Sequence, residues 1–125
     1  MTLRALAALQ WVGLLVGAVV WASQLLLGFG ITEAECSSGG AHWGIANDTW
    51  QAALMGASAL CVLAAAIAAL TVVIRTRQAS YDKDGPPVGR IRFFAIAALA
   101  ANVDFLVIVL LSGFGAIFNV ACRQA

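Results

Sequence analysis

Three long stretches of this chain carry almost no charge. The first lies between Arg4 and Glu33, the second covers residues 49–74, and the third, residues 93–122, contains a single charge, Asp104. About 20 apolar residues in a helix suffice to cross a hydrocarbon core of about 30 Å. A surface helix of a soluble bundle has a polar outer face, and none of these stretches has one. The pattern therefore predicts three transmembrane helices, at about residues 5–30, 50–74 and 92–118, joined by an outer loop at 31–49 and a cytoplasmic loop at 75–91.

The first stretch has an alternative interpretation as the apolar core of a secretory signal peptide, with Val20, Trp21 and Ala22 as its cleavage motif. A signal core has about 7–15 apolar residues, and this stretch is considerably longer. We therefore expect a retained transmembrane helix.

Composition agrees with a membrane protein. The 125 residues are 62% hydrophobic and 10% charged, with a mean hydropathy of +0.94, whereas a soluble domain is about half apolar and about one quarter charged. The net charge of +1, without a concentrated basic face, excludes a nucleic-acid partner. We expect an all-α integral membrane protein whose residues 1–125 form one membrane domain.

The basic residues predict the orientation of the chain. Arg4 and five basic residues of segment 75–92 would lie on one side of the membrane, with Arg123 alone on the other. The positive-inside rule places the N-terminus in the cytoplasm and the C-terminus outside, as expected for a multi-pass protein of a bacterial inner membrane. Segment 84–87, Asp-Gly-Pro-Pro, is typical of a turn. The basic segment could instead bind anionic lipid headgroups, but the interspersed Asp82 and Asp84 favour the topological interpretation.

Two of the three cysteines follow membrane spans on the outer side. Cys36 comes shortly after the first span and Cys122 after the third, whereas Cys61 lies near the middle of the second. Because the outer side of a bacterial inner membrane permits disulfides, we predict a Cys36–Cys122 bridge. It would close a loop of about 86 residues and contribute at most roughly 4–5 kcal/mol. The alternative is a pair of free thiols.

No residue set predicts catalysis, metal binding or cofactor binding by this chain alone. His42 is the single histidine, and a metal site needs three or four convergent ligands. A weak site shared with a partner chain is the less favoured alternative to a solvated loop histidine. Neither His42 nor Met55 is favoured as an axial haem ligand, because neither has a second ligand at a matching depth in the membrane.

The first predicted helix has a packing face. Gly13 and Gly17 are one turn apart, and small residues allow another helix to come close. Gln10 and Gln24 lie on the same stripe at its two ends, with Gly17 midway. We expect ordinary helix packing with polar contacts at both ends.

Asn102 and Asp104 lie near the middle of the third predicted helix. An aspartate at the bilayer centre costs roughly 2.5–3.5 kcal/mol, so it normally faces protein or water. The two side chains point about 200° apart. We infer that one of them packs within this chain and the other on a different polypeptide. Exposure of one of these groups to lipid in an isolated monomer would count against this inference.

Three functions remain at this point. The first is a non-catalytic accessory subunit of a larger membrane complex, supported by the small size and the two polar faces. The second is a small homo-oligomeric ion or proton channel or transporter lined by Asp104. The third, a membrane enzyme, has no triad, metal cluster or second intramembrane carboxylate to work with.

The last third of the chain carries a family resemblance. The residues concerned are Arg90-Ile91-Arg92-Phe93-Phe94, then Asn102, Phe105 and Leu106, then Leu111-Ser112-Gly113 and the final Cys122. This pattern resembles small three-span bacterial proteins encoded beside haem-copper cytochrome c oxidase genes. The resemblance implies an accessory subunit in respiratory electron transport. Haem and copper would be held by other membrane subunits, and no cofactor ligand carries over to this chain. Lipids are the remaining candidate ligands, and the sequence does not identify them.

Overall fold

The computed structural model describes residues 2–37, 44, 46–77 and 81–118, with the backbone alone for 81–86. Every regular element in these residues is an α-helix: α1 is Leu3–Cys36, α2 is Asn47–Arg75 and α3 is Tyr81–Phe118. All three are long and apolar enough to cross a membrane. The prediction of an all-α chain with three membrane-length helices is therefore confirmed.

The helix ends outside the apolar spans have polar caps. The Thr2 hydroxyl accepts a hydrogen bond of 3.3 Å from the Ala5 amide at the start of α1. In α2, Asp48 lies in the first turn and Arg75 in the last, and both charges complement the helix dipole. Beyond Arg75, the Thr76 hydroxyl donates to the Val72 carbonyl at 2.8 Å.

Two helices extend into segments that the sequence assigned to loops. α1 continues to Cys36, since its charged residues lie beyond the hydrocarbon core and are compatible with a helix. α3 begins at Tyr81, so residues 84–87 are helical and the prediction of a turn there was wrong. Proline has a fixed φ that suits a helix, and its missing N–H removes a hydrogen bond only beyond the first turn, where Pro86 and Pro87 lie. The connection between α2 and α3 is therefore much shorter than residues 75–91.

The buried positions recur at steps of three and four residues, or at their sum of seven, in each helix. This spacing is typical of helices that pack at a shallow angle in a left-handed bundle. Small and polar side chains dominate these positions, as expected where helices associate in lipid. They are Leu6, Gln10, Gly13, Gly17, Gln24 and Gly28 in α1; Gln51, Ser58, Val62, Ala65, Ala69 and Val72 in α2; and Ile91, Ala95, Ala98, Asn102, Val109 and Gly113 in α3.

Contacts at the two ends establish an up-down-up bundle. At one end Leu6, Val72 and Ile91 belong to a single buried cluster. At the other end, Gln51 of α2 contacts Gly28 of α1, while Gln24 of α1 reaches Val109 of α3. α1 and α3 are therefore parallel, and α2 runs antiparallel to both.

The outer surface of the bundle is apolar. Large hydrophobic side chains are exposed on every helix, among them Leu26, Leu60 and Leu111. In water such a surface would drive aggregation, whereas lipid solvates it. The fold is that of a multi-pass membrane protein associated with a lipid bilayer.

Candidate functional site: a polar seam and an exposed aspartate

Asn102 joins α3 to α1 inside the bundle. Its side chain is 2% exposed, and its Nδ2 donates to the Gly13 carbonyl at 2.6 Å and to the Ala98 carbonyl at 2.9 Å. Its Oδ1 accepts no hydrogen bond from the described residues. Asn102 is thus one of the two central polar residues of α3, and it packs within the chain.

Gly13 and Gly17 of α1 make room for these contacts. A Cβ at Gly13 would lie 3.0 Å from the Ala69 Cβ and 3.3 Å from the Ala65 carbonyl oxygen of α2. A Cβ at Gly17 would overlap the Asn102 carboxamide and lie 2.9 Å from the Phe105 ring. Gly13 therefore brings α1 against α2, whereas Gly17 brings it against α3. At Gly13 all three helices meet, since its carbonyl also accepts from Asn102.

Two glutamines link the helices at the end of the bundle near Cys36. Gln24 Nε2 donates to the Val109 carbonyl at 3.2 Å, with the Ser112 hydroxyl at 3.5 Å. Gln51 Nε2 donates to the Gly28 carbonyl at 2.9 Å and to the Thr32 hydroxyl at 3.2 Å. We call these two glutamines, Asn102 and its backbone acceptor Gly13 the polar seam.

Gln10 is also buried, at 4% exposure, but differs from the seam glutamines. No hydrogen bond joins its amide to another described residue, and its side chain lines a groove between α1 and α3. It lies at the end of the bundle that carries Arg4 and Arg90.

Asp104 lies on the opposite side of α3 from Asn102 and is exposed. It makes no ion pair or hydrogen bond with the residues that the structure describes. Val103, at 57% exposure, and Val107, at 50%, flank it on the outer surface. Asp104 is close to the middle of the apolar span Pro87–Phe118. The chain therefore presents an unpartnered carboxyl group to its surroundings at mid-membrane depth.

The structure describes only some of the cysteine and histidine positions that the sequence singled out. Cys36 is the last residue of α1, whereas Cys122 and His42 lie outside the described residues, so the Cys36–Cys122 bridge stays a prediction. Cys61 is a free, exposed thiol on α2. The described ranges contain no group of three or more His, Cys, Asp or Glu side chains that could hold a metal.

Sequence reasoning missed Gln51, together with its acceptor Thr32 and the Ser112 hydroxyl. The sequence did contain a signal for Gln51, because it is a polar residue in an uncharged stretch. It also lies seven residues before Ser58, and therefore on the same side of the helix. The seam can hold helices in register, and its donors are occupied by backbone carbonyls and hydroxyls.

Comparison with protein-family models, with curated proteins and with solved structures finds no significant match.

Proposed function

We propose that this chain is a non-catalytic accessory subunit that docks on another integral membrane protein through the outer face of α3. The observation that carries the proposal is the exposure of Asp104 near the centre of a membrane span. An aspartate at this depth in lipid costs roughly 2.5–3.5 kcal/mol. A hydrogen-bond donor on a neighbouring protein would offset that cost.

The docking face, defined as Ala100, Asp104, Val107, Ile108 and Leu111, supports a helix as the partner. All five residues are exposed, and they recur at steps of one, three or four along one side of α3. Ala100 is small and lies one turn from Asp104, so a second helix can approach the carboxyl group closely. The expected partner helix carries a hydroxyl, amide or basic side chain at the same depth.

The narrower assignment is to a bacterial respiratory oxidase in the inner membrane. It is supported by the resemblance of residues 90–122 to proteins encoded beside haem-copper oxidase genes. In this assignment haem and copper belong to partner subunits, and the basic end of the bundle faces the cytoplasm. A Cys36–Cys122 bridge on the outer side would tie α1 to the end of α3.

The same aspartate supports a second candidate, a homo-oligomeric ion or proton channel. Small side chains pack closely along the helix contacts, such as Gly13 against Ala69. An ion path would therefore run between copies of the chain, lined by one Asp104 from each.

The test is mild detergent extraction of the tagged protein from native membranes, followed by native gel separation and mass spectrometry. Wild type, Asp104→Leu and, as a matched change on the outer face of α1, Leu26→Ala should be compared. We expect different membrane subunits, including haem-bearing ones, to migrate with wild type and Leu26→Ala, and to be lost from Asp104→Leu.

Two results would contradict the accessory-subunit proposal. A band that contains several copies of this chain alone, with proton or ion flux abolished by Asp104→Asn, would establish the channel instead. A wild-type protein that runs as a monomer in every mild detergent tested would contradict both candidates.

A further inference from the structure

A groove lies between α1 and α3 at the basic end of the bundle. Its volume is ≈ 470 Å³. Charged, amide and aromatic side chains from both helices line it, chief among them Arg4, Gln10, Trp11, Pro87, Arg90 and Phe94. This groove plays no part in the proposed contact through Asp104.

The two arginines reach the groove from different helices at the same level. Leu6 of α1 and Ile91 of α3, which are neighbours of the two arginines in the sequence, belong to one buried cluster. They are 85 residues apart, as are Gln24 and Val109, which are in contact. Residues about 85 apart therefore lie at the same level along these two parallel helices. Arg4 and Arg90 are both exposed and form no ion pair with an acidic side chain whose position the structure describes. Two guanidinium groups that have no ion pair with a described side chain therefore line one groove, and guanidinium is the side-chain group that best matches a phosphate.

Gln10 supplies a second and independent feature. It lies six residues beyond Arg4, or about 9 Å deeper along α1. The polar layer of a bilayer is roughly 5–8 Å thick on each side of the hydrocarbon core. When Arg4 is at phosphate depth, the Gln10 backbone is therefore just below the inner edge of the polar layer, and because helical side chains lean toward the helix N-terminus, its amide can reach the glycerol ester carbonyls. An amide that opens onto a groove without a hydrogen bond is costly where lipid fills that groove, and an ester carbonyl is an acceptor that would satisfy it.

Two aromatic rings form a wall of the groove beside Gln10. Trp11 and Phe94 stack with their ring centroids 6.4 Å apart and an interplanar angle of 23°, and both are exposed on the lipid-facing surface. The groove thus has its arginines at one end and, below them, the amide and the two rings at a common depth. A phospholipid likewise has its ester groups and the start of its acyl chains below its phosphate.

We propose that this groove binds an anionic phospholipid. Its phosphate lies between Arg4 and Arg90, its ester carbonyl accepts from Gln10, and one acyl chain lies along Trp11 and Phe94. The lipid then links α1 to α3 at the end of the bundle that lacks a polar seam contact. A soluble anion would use the arginines but leave the amide and the aromatic wall without a function.

Native mass spectrometry of the full-length purified protein tests the proposal. The probe is an equimolar mixture of phosphatidylglycerol and phosphatidylcholine with identical acyl chains. At about 1 kcal/mol per basic residue near the surface, two arginines give a preference for phosphatidylglycerol of more than tenfold. We expect Arg4→Gln/Arg90→Gln to lower that preference to near unity. Gln10→Leu should weaken both lipids alike, because both contain ester carbonyls.

The matched control is Arg75→Gln/Arg77→Gln, which removes the same charge at the same end of the bundle but outside this groove. It should retain the preference of wild type. An unchanged preference in Arg4→Gln/Arg90→Gln would overturn the proposal, and so would equal losses in the two double variants, which would indicate diffuse surface charge. Circular dichroism of each variant verifies that the helices are intact.

Discussion

Asn102 and Asp104 are two residues apart on the same helix, at nearly the same membrane depth, yet their surroundings are opposite. Asn102 is buried and donates to backbone carbonyls of α1 and α3. Asp104 is exposed among apolar side chains, and no described residue bonds to it. The inner polar residue is satisfied by the chain itself, whereas the outer one requires something beyond it.

The comparison separates two contributions of polar groups in a membrane protein. Inside the bundle, a carboxamide with a fixed acceptor sets the register of α1 against α3, because a shift of either helix would break the contact. Outside, a carboxyl group without a partner in the described chain raises the free energy of inserting α3 into lipid and favours association. Substitutions at the two positions should therefore affect different equilibria.

The largest effect on the free energy of unfolding is expected from Gly17→Leu. Its side chain would occupy the position of the Asn102 carboxamide and the Phe105 ring, so α1 and α3 must separate, at a cost of about 3 kcal/mol. The measurement is unfolding by SDS titration in mixed micelles. Gly30→Leu is the control, because nothing lies within 4 Å of its Cβ position. Equal stability of the two variants would mean that α1 and α3 do not pack at Gly17.

Asn102→Leu should lower the free energy of unfolding by about 1.5 kcal/mol. The substitution keeps a similar volume but removes the 2.6 Å hydrogen bond to Gly13, and hydrogen bonds between membrane helices contribute up to about 1.7 kcal/mol. The same SDS titration measures the loss. A variant as stable as wild type would show that the carboxamide contributes no net stability.

The two glutamines of the seam should rank by the geometry of their hydrogen bonds. Gln51 has acceptors at 2.9 and 3.2 Å, whereas those of Gln24 are at 3.2 and 3.5 Å and its Oε1 has no partner among the described residues. We expect Gln51→Leu to cost about 1 kcal/mol and Gln24→Leu about 0.5 kcal/mol. The reverse order in SDS titration would contradict this ranking.

Asp104→Leu should have the smallest effect on the isolated chain. Because the side chain has no described contact to lose, the free energy of unfolding should change by less than about 0.5 kcal/mol. This is the same substitution as Asn102→Leu, two residues away, so the pair of variants tests the comparison directly. A loss at Asp104 as large as that at Asn102 would place Asp104 in an intramolecular contact.

The helical period accounts for much of what the sequence could predict. A turn of 100° per residue groups Asn102 with Ala95, Ala98, Val109 and Gly113, and the structure buries all five. The same period places Asp104 on a face with Ala97, Ala100 and Ala101. It cannot say which of the two faces points inward, since both contain small residues. That choice depends on contacts with Gly13 and Gly17 of α1, which are distant in sequence.

Two further features could not be read from local patterns. Pro86 and Pro87 predicted a turn, but their φ is compatible with the first turns of α3, whose backbone is helical from Tyr81. The groove of Arg4 and Arg90 combines residues that are far apart in the sequence. Only the parallel packing of α1 and α3 places them together.

Site-specific photo-crosslinking in native membranes tests the docking of the Asp104 face most directly. A benzophenone side chain at Val107, one turn from Asp104, should crosslink to a different membrane polypeptide, and Asp104→Leu should abolish the product. The same group at Leu26, which is 75% exposed on α1, should give no such product. Crosslinks from Val107 only to lipid, or only to a second copy of this chain, would contradict docking on a partner subunit.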